Sequence, residues 1–289
     1  MRNRPEEAFR ALSLALKYDS NHSETHTSMG DLLQSAGKPR EAAAHYLEAA
    51  RIQPDQFDAL NNLGLLLSEQ GRTEEALQYL ERALGSSPDA RRWAEVQINM
   101  GMALARAGMP DEAESKYRQA LRAIPDMPEA YNNLAILLAR QGRTEEAIQN
   151  YRQAILLRPG YTQAHINLGA VLADTGRFEE ALNQYVQALR INPRSAMAHY
   201  NMGIVLERMG QNEKAREHFF EALRIAPNYE KARYKLNQHR LTAVRVGALG
   251  AEAFPERNNR VDVAVRVRDD KVRVLLLDWK PRWETRFFL

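Results

Sequence analysis

Five asparagines, Asn62, Asn99, Asn133, Asn167 and Asn201, recur at intervals of 37, 34, 34 and 34 residues. A carboxamide carries one acceptor and two donors on a short planar group. It can hold the N–H and the C=O of a peptide backbone together without reading the peptide's side chains. A regular series of such groups suits an extended chain. Each net hydrogen bond contributes about 0.5–1.5 kcal/mol. Ordering and association consume much of the sum, so micromolar affinity is the expectation. Three residues after each asparagine stand Leu65, Met102, Ile136, Ala170 and Ile204, an apolar stripe at the same spacing that could take a partner's side chains. Both series have a plain structural reading as well: the amides can brace the helices that carry them, and the stripe can pack against neighbouring helices.

Other chemistry is sparse. With no cysteine there is neither a disulfide framework nor a thiolate metal site. His22 and His26 stand four apart and can meet on one helical face, but two ligands without a third make a poor metal site. Carboxylate pairs such as Glu74–Glu75 are adjacent in sequence and do not converge as acid–base catalysis requires. The only glycine-rich candidate, GALG at Gly247–Gly250, is not a phosphate-cradling loop. The expectation is a protein that is not an enzyme and holds no cofactor or metal.

The formal charge of +3 comes from residues 242–289, with ten Lys and Arg against seven Asp and Glu. The preceding 241 residues are neutral, which argues against a nucleic-acid surface. Glu6, Glu7 and Arg10 interrupt the start, so it does not read as a signal peptide, and no stretch reaches the length of a membrane span. These features predict a cytoplasmic protein.

The elements that position the asparagines repeat with them. Units start at Ser23, Phe57, Ala94, Pro128, Thr162 and Ala196, with Arg91, Arg92 and Trp93 as extra residues between the second and third. Each unit reads as two helices. The first stops at a glycine (Gly37, Gly71, Gly108, Gly142, Gly176, Gly210) and the second closes near a proline (Pro54, Pro88, Pro125, Pro159, Pro193, Pro227). In four units the second helix opens with acidic pairs such as Glu145–Glu146, which favour the positive helix end. The eighth position is small (Gly30, Gly64, Gly101, Ala135, Gly169, Gly203), and the twentieth and twenty-seventh are always alanine. The twenty-fourth is bulky (Tyr46, Leu80, Tyr117, Tyr151, Tyr185, Phe219) and should plug the gap to the neighbouring unit. A single helix pair cannot bury these faces, so the units must stack. Leucine at Gly169 should overpack its helix pair at a cost of about 1–3 kcal/mol.

This pattern closely resembles the tetratricopeptide repeat, over about residues 1–241. The resemblance implies an all-α, right-handed superhelical solenoid of helix pairs, with a small C-terminal tail that reads as a β-hairpin. It also implies that the first helices line a concave groove and that positions 2, 5, 6, 9, 12 and 13 of each unit point inward, the asparagines being position 6 and the apolar stripe position 9. The array is similar to the peptide-binding superhelix of O-linked N-acetylglucosamine transferases, which carries such an asparagine ladder. The fourth position departs from the family's aromatic (His26, Leu60, Gln97, Tyr131, His165, His199), which should loosen the packing. Position 5 carries no cation, so a carboxylate clamp for chaperone tails is not expected. Arg106, Arg140 and Arg208 at position 13 either favour acidic partner segments or are solvated helix ends.

The expected organisation is an N-terminal half repeat (1–22), six repeats (23–56, 57–90, 94–127, 128–161, 162–195, 196–229), a capping helix (230–241), a linker (242–260) and a tail (261–289). In the tail Val261, Val263, Val265 and Val267 share one face, Asp269–Asp270 is a turn candidate, and Val272, Val274 and Leu276 share one face of a second strand. An out-of-frame extension without selected structure is the plain alternative. The half repeat is either a cap or the edge of a longer array.

The functional expectation is a scaffold or adaptor whose partner is a protein or extended peptide, with no nucleic acid. The alternative is the substrate-recruiting part of a glycosyltransferase whose catalytic domain is missing or on another chain. Self-association through the ends or tail, and autoinhibition by the hairpin or the Trp279–Trp283 segment, are further expectations.

Overall fold

The computed structural model describes residues 4–238, 264–268 and 271–275. Two compact units divide the chain, Met1–Thr175 and Gly176–Leu289. The first contains α1 (Arg4–Tyr18), α2 (Ser23–Ser35), α3 (Pro39–Ile52), α4 (Phe57–Glu69), α5 (Thr73–Gly85), α6 (Ala90–Arg106), α7 (Pro110–Ala123), α8 (Pro128–Arg140), α9 (Thr144–Leu157) and α10 (Thr162–Asp174). The second contains α11 (Phe178–Ile191), α12 (Ala196–Arg208), α13 (Asn212–Ile225) and α14 (residues 230–238), then β1 (Ala264–Arg268) and β2 (Lys271–Leu275).

Each first helix ends as its sequence dictates. After α8, Gly142 adopts φ 76°, its N–H donates to Ala139 O at 3.1 Å, and the N–H of Arg143 donates to Leu138 O at 2.9 Å. These two bonds satisfy carbonyls that the helix leaves open, and they require a left-handed residue that glycine supplies without strain. The other five glycines of the series share this positive φ. The extra residues Arg91, Arg92 and Trp93 do not lengthen a loop. They extend α6 backward to Ala90, where Asp89 caps the helix by accepting from Arg92 N at 2.8 Å.

The second helices open on a device that acidic residues alone did not reveal. The residue just before the helix is a cation paired with the carboxylate three residues on: Arg72 with Glu75, Arg143 with Glu146 and Arg177 with Glu180. Arg143 also reaches Glu114 on α7 at 2.6 Å, and Glu114 holds Arg118 at 2.7 Å. Burial opposes ionisation of Glu114, but the two guanidiniums outweigh it and hold its carboxyl below the ordinary value.

Small and bulky positions meet within each pair. A Cβ added to Gly101 would lie 2.6 Å from Cε1 of Tyr117, and one added to Gly64 would lie 2.6 Å from Cγ of Leu80. The bulky side chain therefore covers the glycine of its own unit first. It also meets the next unit, since Tyr46 shares a core cluster with Met29 and Leu33 of its own unit and with Leu63, Leu66 and Leu67 of the following one. All the position-20 and position-27 alanines are fully buried. The fourth position is not the loose site expected. His165 and Gln97 are buried, and the imidazoles tie the helix to the preceding loop: His165 Nε2 donates to Pro159 O at 3.1 Å and His26 Nε2 to Ser20 O at 3.1 Å.

At the N-terminus Leu12 and Leu16 pack against the first cluster, while Ala8 and Ala15 stay exposed beside exposed Phe9, Leu14 and Tyr18. In the second unit Leu236 of α14 packs on the cluster of Leu206, Ala215 and Phe219. Strands β1 and β2 pair antiparallel, with Val265 opposite Val274 and Val267 opposite Val272. Residues 239–241, the linker, Val261, Val263, Asp269–Asp270, Leu276 and Trp279–Trp283 lie outside the described residues.

Candidate functional site

In the first unit the first helices touch in series: α4 against α6, α6 against α8 and α8 against α10. Contact of that extent does not join the second helices among the described residues, so the first helices form the inner side of this stack. Asn62, Asn99, Asn133 and Asn167 sit on them, each half-buried. Leu65, Met102, Ile136 and Ala170, one turn on, are half-buried as well. Both series keep part of their surface accessible on one face, as the repeat spacing requires.

The amides are not idle. Asn99 Nδ2 donates to Asn61 Oδ1 at 2.8 Å, Asn61 Nδ2 to Asn62 Oδ1 at 3.5 Å, and Asn62 Nδ2 to Asp31 Oδ1 at 2.9 Å. This relay crosses three repeats and ends on a carboxylate. A second relay runs from Asn167 Nδ2 to Asn132 Oδ1 at 3.2 Å and from Asn132 Nδ2 to Asn133 Oδ1 at 3.4 Å, with Gln163 donating to Asn167 Oδ1 at 2.8 Å. A position-6 amide reaches back to position 5 of the preceding unit wherever that position is asparagine. Between the third and fourth repeats position 5 is the buried Ile98, and the relay breaks. Asn133 Nδ2 has no acceptor among the described residues, and Asn99 Oδ1 has no donor. Asn62, Asn99 and Asn167 thus each spend one donor on bracing the stack, whereas Asn133 donates to no described residue.

The edges of this face differ in charge. At position 2, Asp58 pairs with Arg92, Glu129 with Arg158 at 2.5 Å and Glu95 with Arg91 at 3.8 Å. At position 13, Arg106 donates to Ser68 Oγ at 3.2 Å, and neither Arg106 nor Arg140 pairs with a carboxylate among the described residues. In the second unit Asn201 is half-buried on α12 with exposed Arg208 at its end. There Ile204 packs against the Phe219 cluster, so its packing role is occupied.

The two histidines read as a candidate pair do not converge. His22 caps α2 by accepting from Thr25 N at 3.2 Å. His26 instead meets His45, Nδ1 to Nδ1 at 3.0 Å, and His199 meets His218 in the same way at 3.0 Å. No cluster of three or more metal-ligating side chains is present among the described residues, and no described helix is long and apolar enough to cross a membrane.

Tetratricopeptide repeat models match residues 27–91 and, in overlapping stretches, 94–155, 126–194 and 160–228. The chain belongs to the tetratricopeptide repeat family. Among similar proteins are Protein FlbA of Caulobacter vibrioides, 29% identical over 44% of this chain and 21% of that protein, and the probable UDP-N-acetylglucosamine–peptide N-acetylglucosaminyltransferase SPINDLY of Hordeum vulgare, 27% identical over 46% of this chain and 14% of that protein. The match thus spans about a fifth or less of either relative. The Cut9–Hcn1 hetero-tetramer of the APC/C superposes with a TM-score of 0.69 at 17% identity, over 82% of this chain and 46% of that one. MamA superposes with a TM-score of 0.50 at 22% identity, over 58% and 97%. At these identities the structures speak for the tetratricopeptide fold alone.

Proposed function

We propose that this tetratricopeptide array is a protein-interaction module that binds an extended polypeptide along its inner face. In the first unit Asn62, Asn99, Asn133 and Asn167 hold the backbone, and Leu65, Met102 and Ile136 supply apolar contact. The observation that carries the reading is the series of half-buried amides on first helices in mutual contact, three of which brace the preceding repeat with one donor and keep a second, while Asn133 keeps both. Short planar amides fit a backbone of either polarity, and main-chain recognition of this kind adds affinity without demanding one sequence. The role is that of a scaffold or adaptor, and no catalytic step is assigned to the chain.

Selection from a displayed library of linear peptides tests this. The native chain should enrich extended binders, and a variant with Asn99, Asn133 and Asn167 all changed to alanine, matched in helicity and melting, should lose them. Equal enrichment by both would move the binding face elsewhere.

A second reading is favoured by the similarity to SPINDLY. The array would then recruit polypeptide substrates for a glycosyltransferase domain that is encoded downstream or carried by a separate chain. Co-purification with a protein that transfers sugar from a nucleotide donor supports it; a native partner set without such a protein counts against it.

A further inference from the structure

Tyr46, Tyr117 and Tyr151 occupy the same place in three repeats, and their hydroxyls meet different surroundings. Tyr46 Oη donates to Asp31 Oδ1 at 2.7 Å and lies 3.0 Å from Gln34 Oε1. Asp31 and Gln34 are positions 9 and 12 of that repeat, and Asp31 also accepts from the ladder amide of Asn62. The hydroxyl of this fully buried tyrosine therefore ends beside the ladder. In the third and fourth repeats the equivalent positions are Met102 with Ala105 and Ile136 with Ala139, none of which has a side-chain oxygen to offer. Tyr117 and Tyr151 keep buried rings, and neither hydroxyl makes a hydrogen bond among the described residues.

The first helices of these two repeats are in contact, and each carries an arginine at position 13, Arg106 and Arg140. Burial pushes both tyrosine hydroxyls well up, and the positive charges of Arg106 and Arg140 at Tyr117, and of Arg140 at Tyr151, offset only part of that rise. The need of a helix end for positive charge does not explain the two arginines, because α4 and α10 end on Glu69 and Asp174 at the same position. The break in the amide relay falls at the same two repeats and leaves Asn133 Nδ2 free to donate. Across the face, the position-2 carboxylates of these repeats are neutralised by arginine partners. Donors in excess, two guanidiniums without a carboxylate partner among the described residues and an opposite edge of paired acids describe a surface complementary to anions.

We propose that the third and fourth repeats form an acid-selective subsite, in which Arg106, Arg140, Tyr117 and Tyr151 receive carboxylate side chains of an extended polypeptide whose backbone lies on the ladder. This rests on the groove reading above. Helices in direct contact lie about 8–10 Å apart and an extended chain advances about 3.3 Å per residue, so the two arginines meet acidic side chains about three residues apart.

The test is fluorescence anisotropy of the full chain with two labelled peptides, one with glutamate at every third position between glycine and serine, the other with glutamine in its place. The glutamate peptide should bind about tenfold more tightly, with an advantage that shrinks as salt is added. Changing Arg106 and Arg140 to glutamine should abolish the advantage. Tyr117→Phe with Tyr151→Phe, which keeps both rings, should reduce it while leaving the glutamine peptide unaffected. Equal binding of the two peptides, lost from both in the triple asparagine variant, overturns acid selection and leaves the groove standing. An advantage that survives the arginine change puts the anion site elsewhere and also overturns the proposal. If the advantage depends on the arginines but neither peptide responds to the asparagine change, the subsite holds and the ladder reading falls. If neither peptide binds the native chain, both readings fall.

Discussion

Asn99 donates from Nδ2 to Oδ1 of Asn61, 2.8 Å away on the preceding first helix, and so links α6 to α4, between which no backbone hydrogen bond runs among the described residues. The contact is half-buried, where a neutral hydrogen bond contributes about 0.5–1.5 kcal/mol. Asn61→Ala and Asn99→Ala should each destabilise, and the double variant should cost less than the sum of the two. A double-mutant cycle on the urea midpoint measures this coupling. Strict additivity would mean that the bond contributes nothing to the stack.

Tyr117 closes over Gly101 so tightly that a single added carbon would lie 2.6 Å from its ring. Gly101→Leu should therefore destabilise by about 1–3 kcal/mol through forced displacement of a buried ring. Thermal unfolding followed by circular dichroism reads the effect, and an unchanged midpoint would show that the ring can move aside. The neighbouring repeat offers a control, because Ala135 already occupies the equivalent place beside Tyr151, so Gly101→Ala should be much milder than leucine.

The repeat frame was legible because it rests on residues whose backbone or volume admits few substitutes. Gly142 must be left-handed and the position-20 alanines must be small, so both announce themselves in sequence. The row of residue types Asn62, Asn99, Asn133 and Asn167 was legible because the repeat frame puts each at position 6 of its unit. What each amide bonds to was not, since it depends on whether the preceding repeat offers Asn61, Ile98 or Asn132 at position 5. The different fates of Tyr46 and Tyr117 turn on Asp31 against Met102, a choice that looks like ordinary groove variation until the hydroxyls are placed. The pairing of His26 with His45 is hidden in sequence because the two lie nineteen positions apart on the two helices of one repeat, whereas His22 and His26 are only four apart.

Gln97 carries a buried Oε1 without a hydrogen-bond partner, the sole such side-chain atom among the described residues. Its repeat departs from the others because α6 extends back to Ala90 and replaces the loop whose carbonyl receives His165 or His26 elsewhere. A buried acceptor left unpaired costs about 1–3 kcal/mol. Leu60 fills the same position in the second repeat and is fully buried there. Gln97→Leu is accordingly expected to raise the melting midpoint, and a lowered midpoint would indicate that the amide is solvated in the native chain.

The histidine pairs predict a pH dependence of defined sign. A carbonyl only accepts, so His26 Nε2 must be the donor to Ser20 O, which leaves His26 Nδ1 to accept from Nδ1–H of His45. Burial first, and then the neighbouring imidazole, lower the pKa of His45 from its ordinary 6.5, against an upward pull from Glu41. His218 is lowered by burial and by His199, against Glu217 and Glu221. A depressed histidine binds fewer protons in the folded chain than in the unfolded one. Its contribution is therefore complete above the unfolded value of about 6.5 and is lost as pH falls below it through the folded pKa. Urea midpoints should hold steady above neutrality and decline below pH of about 6.5. His45→Gln with His218→Gln should flatten that decline, because glutamine cannot take up the proton. A native chain whose midpoint is level across this range, or a variant that declines as steeply as the native chain, would show that neither pair is held neutral by its surroundings.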